Sequence, residues 1–353
     1  MLFRSTDEHG FMGEIQHLLR WGRFHLISGV GHFDANRTDR VSFQPFFSAA
    51  TEDDIHHTNL YLYSLINFPH NVTWTLGGSA DFFKVTTHNK EDSRVVQTLE
   101  RNQFNPKFGV TWNLFPDTTL RAAVFRVVKR SLLSDQTIEP TQVAGFNQFF
   151  DDADGTKSWR YGVGIDQRFA STLFGGVELS RRDIDRPFFS AREGGRLREA
   201  DWREDLGRAY LYWTPRVWLA ISGEYQYERF RRRDEFGVEG TARAYTHRVP
   251  LGISLFHPSG VRARLKTTYV DQVGDFEQQV DSGSAKAGEL RHGSDQFWVV
   301  DASIGYRLPD RRGLLSIDVR NLFDNRFHFQ DTDPRSPTIS PERQVLFRFT
   351  LAF

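Results

Sequence analysis

The chain has 353 residues, with 45 Lys and Arg balanced by 45 Asp and Glu, and no cysteine. The zero net charge gives no basic excess of the kind a nucleic-acid binder carries, and without cysteine there is no disulfide framework and no thiolate zinc site. No apolar run reaches the roughly 18 residues of a membrane-spanning helix, and the opening "MLFRSTDEHGF" lacks a signal-peptide pattern. Yet 32 Phe, 10 Tyr and 8 Trp accompany a mean hydropathy of −0.50. That combination fits a transmembrane β-barrel, which shows lipid only every second residue and gathers aromatic side chains at its two interfaces.

Alternation of period two runs through the chain. Near 104–114 the apolar parity holds Phe104, Phe108, Val110, Trp112 and Leu114. At 159–169, Trp159, Tyr161, Val163, Ile165 and Phe169 alternate with Arg160, Gly162, Gly164, Asp166 and Arg168. At 217–228, Val217, Leu219, Ile221, Tyr225 and Tyr227 alternate with a row that includes Glu224 and Glu228. Val261, Ala263, Leu265 and Tyr269 alternate with Arg262, Arg264, Lys266 and Thr268, and Trp298 through Leu308 repeat the pattern. The final run places Val345, Phe347, Phe349, Leu351 and Phe353 on one parity. No segment carries a 3.6-residue period.

Short polar turns fall at "RWGR" (20–23), "FPHN" (68–71), "FPDT" (115–118), "FAST" (169–172), "TPR" (214–216), "HPSG" (257–260) and "PDRRG" (309–313). Each separates two alternating runs and reads as a hairpin turn. Longer charged stretches at 36–54, 88–101, 131–156, 186–201, 231–242, 275–294 and 328–341 read as loops. Tight turns on the periplasmic side and long loops outside are the barrel arrangement. Residues 1–353 therefore read as a single all-β, antiparallel transmembrane β-barrel domain of about 15–16 strands. The first strand is expected near 10–20, with no ascending partner before it.

The polar parity supplies the interior candidates: Arg160, Arg168, Glu224, Arg262, Arg264, Lys266, Asp318 and Arg348. Their mixed signs predict a wet, ion-paired wall rather than a one-sign selectivity ring. Other motifs carry less. His56 and His57 are adjacent on a strand and point to opposite faces, a poor arrangement for one metal. "DDADG" (151–155) lacks the spaced ligands and closing Glu of a calcium loop, so Asp151, Asp152 and Asp154 are expected in a solvated turn. The glycines of "GVGHFDANR" and "GVGID" fall on alternate strand positions and relieve crowding. No metal, cofactor or catalytic constellation is expected, and nothing argues for an enzyme.

"DASIGYRLPDRRGLLSIDVRNLFDNRFHFQD" followed by "ERQVLFRFTLAF" resembles the C-terminal end of TonB-dependent outer-membrane receptors. The penultimate-strand motif is matched by Val319, Asn321, Leu322, Phe323 and Asp324, and the last strand by Pro341, Arg343 and the terminal Phe353. "VKRSLLSDQTIEPTQVAGFNQFFDD" and "WRYGVGIDQRF" resemble the mid-barrel, with Tyr161 and Gly164 matching. The resemblance implies a barrel of about 22 strands around an N-terminal plug. It also implies a place in the bacterial outer membrane, among its lipids, and uptake of a scarce ligand such as an iron–siderophore, cobalamin or a saccharide. The implied partners are the plug, the TonB complex and, through Phe353, the barrel-assembly machinery. The chain has no plug domain and about seven strands fewer than that barrel, so it reads as a C-terminal part. Two other readings stay open: a passive porin or export-type barrel of about 16 strands, possibly within a larger fusion, and a soluble all-β protein or barrel-embedded enzyme.

Overall fold

The structure, a computed structural model, describes residues 2–351 apart from 44–46, 91–94, 131–136, 151, 191–195, 233–240, 278–289, 330–338 and 340–341. Fifteen strands form one antiparallel sheet in chain order. They begin with β1 (Leu2–Trp21), β2 (Phe24–Phe43), β3 (Phe47–Asn67), β4 (Val72–Asn89), β5 (Val95–Phe115) and β6 (Thr118–Val128). After a two-stranded hairpin, β7 (Gln142–Val143) and β8 (Phe146–Asn147), the sheet resumes with β9 (Lys157–Ala170), β10 (Leu173–Ser190), β11 (Arg196–Arg216) and β12 (Leu219–Arg232). It ends with β13 (Arg243–Phe256), β14 (Val261–Glu277), β15 (Leu290–Arg307), β16 (Gly313–Arg320) and β17 (Gln344–Leu351).

The short turns sit where the sequence places them, with one shift. β11 runs on through Thr214–Arg216, its register slips between Trp213 and Arg216, and the turn falls at 217–218. At the first hairpin Gly22 takes φ +55°, left-handed backbone that glycine adopts without a Cβ penalty.

The strands are longer than expected. β1 begins at Leu2 rather than near residue 10, and β2 and β3 occupy most of the expected loop 36–54. The expected loops 88–101 and 186–201 are likewise mostly strand. Charge does not mark a loop here, because the charged residues pair across neighbouring strands. Arg37 donates to Asp53 at 2.7 Å, His56 meets Asp34 at 2.7 Å, and Arg40 meets Asp7. Opposite charges facing each other across an antiparallel ladder stabilise it. A 20-residue strand spans roughly 66 Å at about 3.3 Å per residue, well beyond the ~9–11 residues that cross hydrocarbon.

The two faces differ as the alternation predicts. Ile15, Leu60, Phe104, Val163, Leu179, Leu265, Ile304 and Phe347 stand exposed on one face. Tyr63, Phe83, Asn105, Lys107, Phe125, Arg160, Arg182 and Thr268 are buried on the other. The sheet is rolled around that second face. Arg101 on β5 reaches Glu199 on β11 at 2.8 Å, although four strand steps of about 4.8 Å separate them along a flat sheet. Phe189 and Leu197, from the tops of β10 and β11, pack against Phe33, Ile55, Phe83 and Leu99 of β2–β5.

Candidate functional site: the interior face

The connection between β6 and β9 turns into the rolled sheet. Its hairpin side chains Val143 and Phe146 pack on Ala123, Phe125 and Val127 of β6. The sheet makes room with glycine. A Cβ at Gly162 would strike the Phe146 ring, and one at Gly109 would lie 2.9 Å from Val143 and Ala144. Of the glycines read from the sequence as relief of crowding, Gly162 makes room for the inward segment, while Gly29 and Gly31 make room for Tyr61 and Asn59 of the neighbouring strand.

Glu139 anchors that segment. Its carboxylate lies 2.8 Å from Arg130, both side chains being 3% exposed. It accepts a hydrogen bond from Asn59 at 3.1 Å and one from the Tyr63 hydroxyl at 2.7 Å. Gln148 donates to the same hydroxyl at 2.9 Å. The segment reaches as far as β1, where Glu14 accepts from the Thr137 hydroxyl and the Ile138 N–H, each at 2.6 Å. At its other end Asp152 pairs with Arg182 of β10 and Asp154 lies 3.7 Å from Arg37 of β2. The "DDADG" stretch is therefore not a solvated turn: Asp152 and Asp154 face inward and are ion-paired, because interior arginines stand in reach. Asp151 lies outside the described residues.

Among the sequence candidates, three groups emerge. Arg160 is buried, 3.7 Å from Glu178, and donates to the Asn147 carbonyl and the Ser180 hydroxyl at 2.9 and 3.1 Å. Glu224 takes a two-pronged contact from Arg208 at 3.0 and 2.9 Å, the fork geometry that guanidinium and carboxylate favour. Arg168 sits apart, at the short-turn end, with Asp117 at 2.6 Å. Arg264, Lys266, Asp318 and Arg348 gather around a cavity of about 400 Å³ with Asp301, Ser303 and Arg320. Arg262 stands one rung closer to the turn, opposite Gly305.

Sequence reading missed Glu139, Arg130, Tyr63, Asn59 and Arg182, the groups that fix the inward segment. The glycine spacing at Gly29 and Gly31 was the available signal, since Cβ atoms there would strike the Tyr61 hydroxyl and the Asn59 amide. His56 and His57 do point to opposite faces, His56 to Asp34 and the buried His57 to Asp81 at 3.0 Å.

The motif of the penultimate strand is a turn with defined chemistry. Asn321 is fully buried and left-handed at φ +48°, as is Asp324 at +56°. The Asn321 N–H donates to Asp301 at 3.0 Å, and its amide bonds the Asn325 backbone in both directions at 2.9 and 3.0 Å. Asp324 accepts from the Arg343 N–H at 3.0 Å, which ties the end of β16 to the start of β17. Phe323 is exposed, and Val319 pairs with Val345 across β16 and β17. The Leu322 N–H donates to the Val300 carbonyl at 2.7 Å. Pro341 and Phe353 lie outside the described residues.

A family model described as TonB dependent receptor-like, beta-barrel, matches residues 3–322. No curated protein sequence matches the chain. It is similar in fold to the FrpB iron transporter from Neisseria meningitidis (F3-3 variant), with TM-score 0.60, 15% identity, and coverage of 99% of this chain and 55% of that one. It is likewise similar to the pyoverdine receptor FpvA from Pseudomonas aeruginosa PAO1 bound to pyoverdine, with TM-score 0.62, 12% identity, and 99% and 53% coverage. Against the copper transporter OprC the values are 0.64, 14%, 99% and 57%. The chain spans about half the length of these structures. It belongs to the TonB-dependent receptor-like β-barrel family, and its place is the bacterial outer membrane.

Proposed function

We propose that the chain is the wall of a TonB-dependent receptor that takes up a scarce ligand, such as an iron–siderophore, cobalamin or a saccharide. On this reading residues 1–353 are one barrel domain, part of a wall of about 22 strands. A plug domain and the TonB complex complete the machine, and Phe353 is the residue read by the barrel-assembly machinery. No residue is assigned to chemistry, and the chain is not an enzyme. The observation that carries the proposal is the interior face: it is lined with charged side chains, many of them paired with one another across β2–β13, behind an outer face of exposed aliphatic and aromatic residues. Such a wall suits passage of a polar solute through a membrane.

The inward segment favours a second reading, a passive pore narrowed from within. One experiment separates the two. The protein is expressed in a Gram-negative host lacking its own iron and cobalamin receptors, with and without a functional TonB. Uptake of radiolabelled ferric citrate, ferric catecholate and cobalamin is then followed. Uptake of one of the three that requires TonB is expected. TonB-independent entry, together with a stable large conductance in planar bilayers, establishes the passive pore instead.

A further inference from the structure

On the outer face, β9 to β12 change character at one level. Val163, Leu179, Gly207 and Tyr227 face one another in register. One rung nearer the loops the same four strands carry Tyr161, Arg181, Asp205 and Arg229. From Leu173, at the turn end of β10, to Arg181 the chain runs about 26 Å at about 3.3 Å per residue. For a strand tilted by about 40° that is about 20 Å of height, which sets Arg181 and Arg229 near the upper border of an apolar band about 25 Å tall. The change from apolar to charged therefore falls at the outer interface of the bilayer.

A groove crosses that border. Its volume is about 750 Å³, with Val163, Leu179 and Tyr227 in the apolar lower part and Arg181 and Arg229 in the upper part. Gly207 lies between Leu179 and Tyr227, so no side chain rises from the floor there. The charges above are unevenly matched. Asp205 is taken by Arg181 at 2.6 Å and Asp183 by Arg203 at 2.8 Å. The Arg229 guanidinium lies 5.5 Å over the Tyr245 ring, and its buried Nε has no hydrogen-bond partner. One rung up, Arg203 faces Arg231, and Arg231 faces Arg243. Like charges directly opposite one another destabilise a ladder. The two flanking arginines have outer partners, Asp183 and Asp275. Arg231, in the middle, has no carboxylate within ion-pair distance among the described residues. Arg229 and Arg231 thus stand about 7 Å apart along one face of β12 with no carboxylate bound to either.

We infer that this outer-face groove binds one phosphorylated lipid of the outer leaflet, its phosphate on Arg229 and Arg231 and an acyl chain over Gly207. The groove has an apolar end towards the bilayer midplane and a cationic end at the interface, and such a lipid presents its chain and its phosphate in the same order. A phosphate supplies the negative charge that the facing arginines lack, and guanidinium forks match phosphate oxygens in pairs. A free anion has nothing to lay in the lower part, and an uncharged lipid leaves Arg231 between two arginines. The volume falls in the range of small-molecule sites. The inference concerns the outer face alone and does not depend on what the interior carries.

The test uses the full chain, folded in a neutral detergent and titrated with diphosphoryl lipid A, with native mass spectrometry as the readout. Saturable binding of one lipid per chain is expected. The same lipid stripped of both phosphates, and pyrophosphate, which has no chains, are each expected to bind at least tenfold more weakly. The double variant Arg229→Gln/Arg231→Gln is expected to raise Kd for the phosphorylated lipid at least tenfold. Gly207→Leu, which fills the floor and leaves the charges in place, is expected to raise it several-fold. Arg40→Gln removes a cation near the loop end of β2, paired with Asp7, and is expected to leave Kd within twofold. Heat-modifiable migration confirms that each variant is folded; should the double variant not fold, Gly207→Leu and the comparison of the three ligands carry the test. Absence of saturable binding, equal binding of the stripped lipid or of pyrophosphate, or equal loss in Arg40→Gln overturns the inference. The measurement needs neither plug nor TonB, so a failure of uptake and a failure of lipid binding are told apart.

Discussion

The interior of β1–β13 and the interior of β14–β17 are built from the same kinds of side chain to opposite effect. In the first region Arg37, Arg101, Arg121, Arg130, Arg160, Arg182, Arg208 and Arg248 each lie within 4.0 Å of a carboxylate. Lys107, deeply buried, has no carboxylate within that distance and donates to the Arg126 carbonyl at 3.3 Å. In the second region the cations stand around open space. The difference follows from what fills the interior. An inward segment covers β1–β10 and desolvates the wall, and a desolvated charge is tolerated only with a partner. At the turn end of β14–β17, where no described residue lies over the wall, water reaches the exposed Arg264, Arg320 and Arg348 and no partner is needed. Pairing is dense where the segment fills the interior and continues beyond it through Arg208 and Arg248, whereas the turn end of β14–β17 holds cations without a carboxylate in ion-pair distance among the described residues.

The largest expected effect tests the filled region. Glu139→Ala removes the carboxylate partner of buried Arg130 and the acceptor of Asn59, and leaves Tyr63 with Gln148 alone. Breaking a buried pair on one side costs about 3–5 kcal/mol, and urea unfolding of the protein in lipid vesicles is expected to show it. A loss below about 1 kcal/mol would mean that the segment is not held where Glu139 holds it. Next, the outer face is common to both regions. Arg at Val163, Leu265 or Ile304 is expected to cost about 2–4 kcal/mol near the bilayer midplane, alike in the filled and the open half. Arg at Ser222, on the inner face, should cost clearly less in the same assay. Thr268 is a poor inner-face control, because it is buried and an Arg there would overpack.

These two experiments also separate what the sequence made legible from what it did not. The faces were readable: Val163 outward and Arg160 inward follow from a period of two, since a pleated strand offers no other choice. Strand ends were not, because Arg37, Asp39 and Asp53 look like loop residues until their partners across the ladder are known. The inward segment left almost no trace. Glu139 sits among Thr, Pro and Gln, and only its three partners, 9 to 80 positions away along the chain, give it meaning. The Asn321–Asp324 motif was readable as a pattern, while its work as a left-handed turn bonded to Asp301 and Arg343 needed the fold. The contrast between paired and unpaired arginines was also out of reach, because identical residue types carry both.

A smaller effect probes the fit of the segment to the wall. Gly162→Ala pushes a methyl group into Phe146, and overpacking of this kind costs about 1–3 kcal/mol. Phe146→Leu added to Gly162→Ala is expected to recover part of the loss, a coupling that independent sites would not show.

The smallest effect compares the two regions directly. Arg208→Gln leaves Glu224 with Tyr212 and Gln226 as its remaining donors. The loss of a charge-assisted bond from a half-buried carboxylate is worth about 1–2 kcal/mol. Arg348→Gln removes a cation whose carboxylate neighbour, Asp318, shares its cavity without a direct ion pair, from a row it shares with Arg262, so its removal relieves repulsion as much as it loses attraction. Stability is expected to change by less than about 0.5 kcal/mol, with the sign turning favourable at low salt, where repulsion between cations is least screened. Urea midpoints for both variants at two salt concentrations decide the matter. If Arg348→Gln destabilises as much as Arg208→Gln, the cations of β14–β17 are structural after all, and the division between a filled and an open interior falls with it.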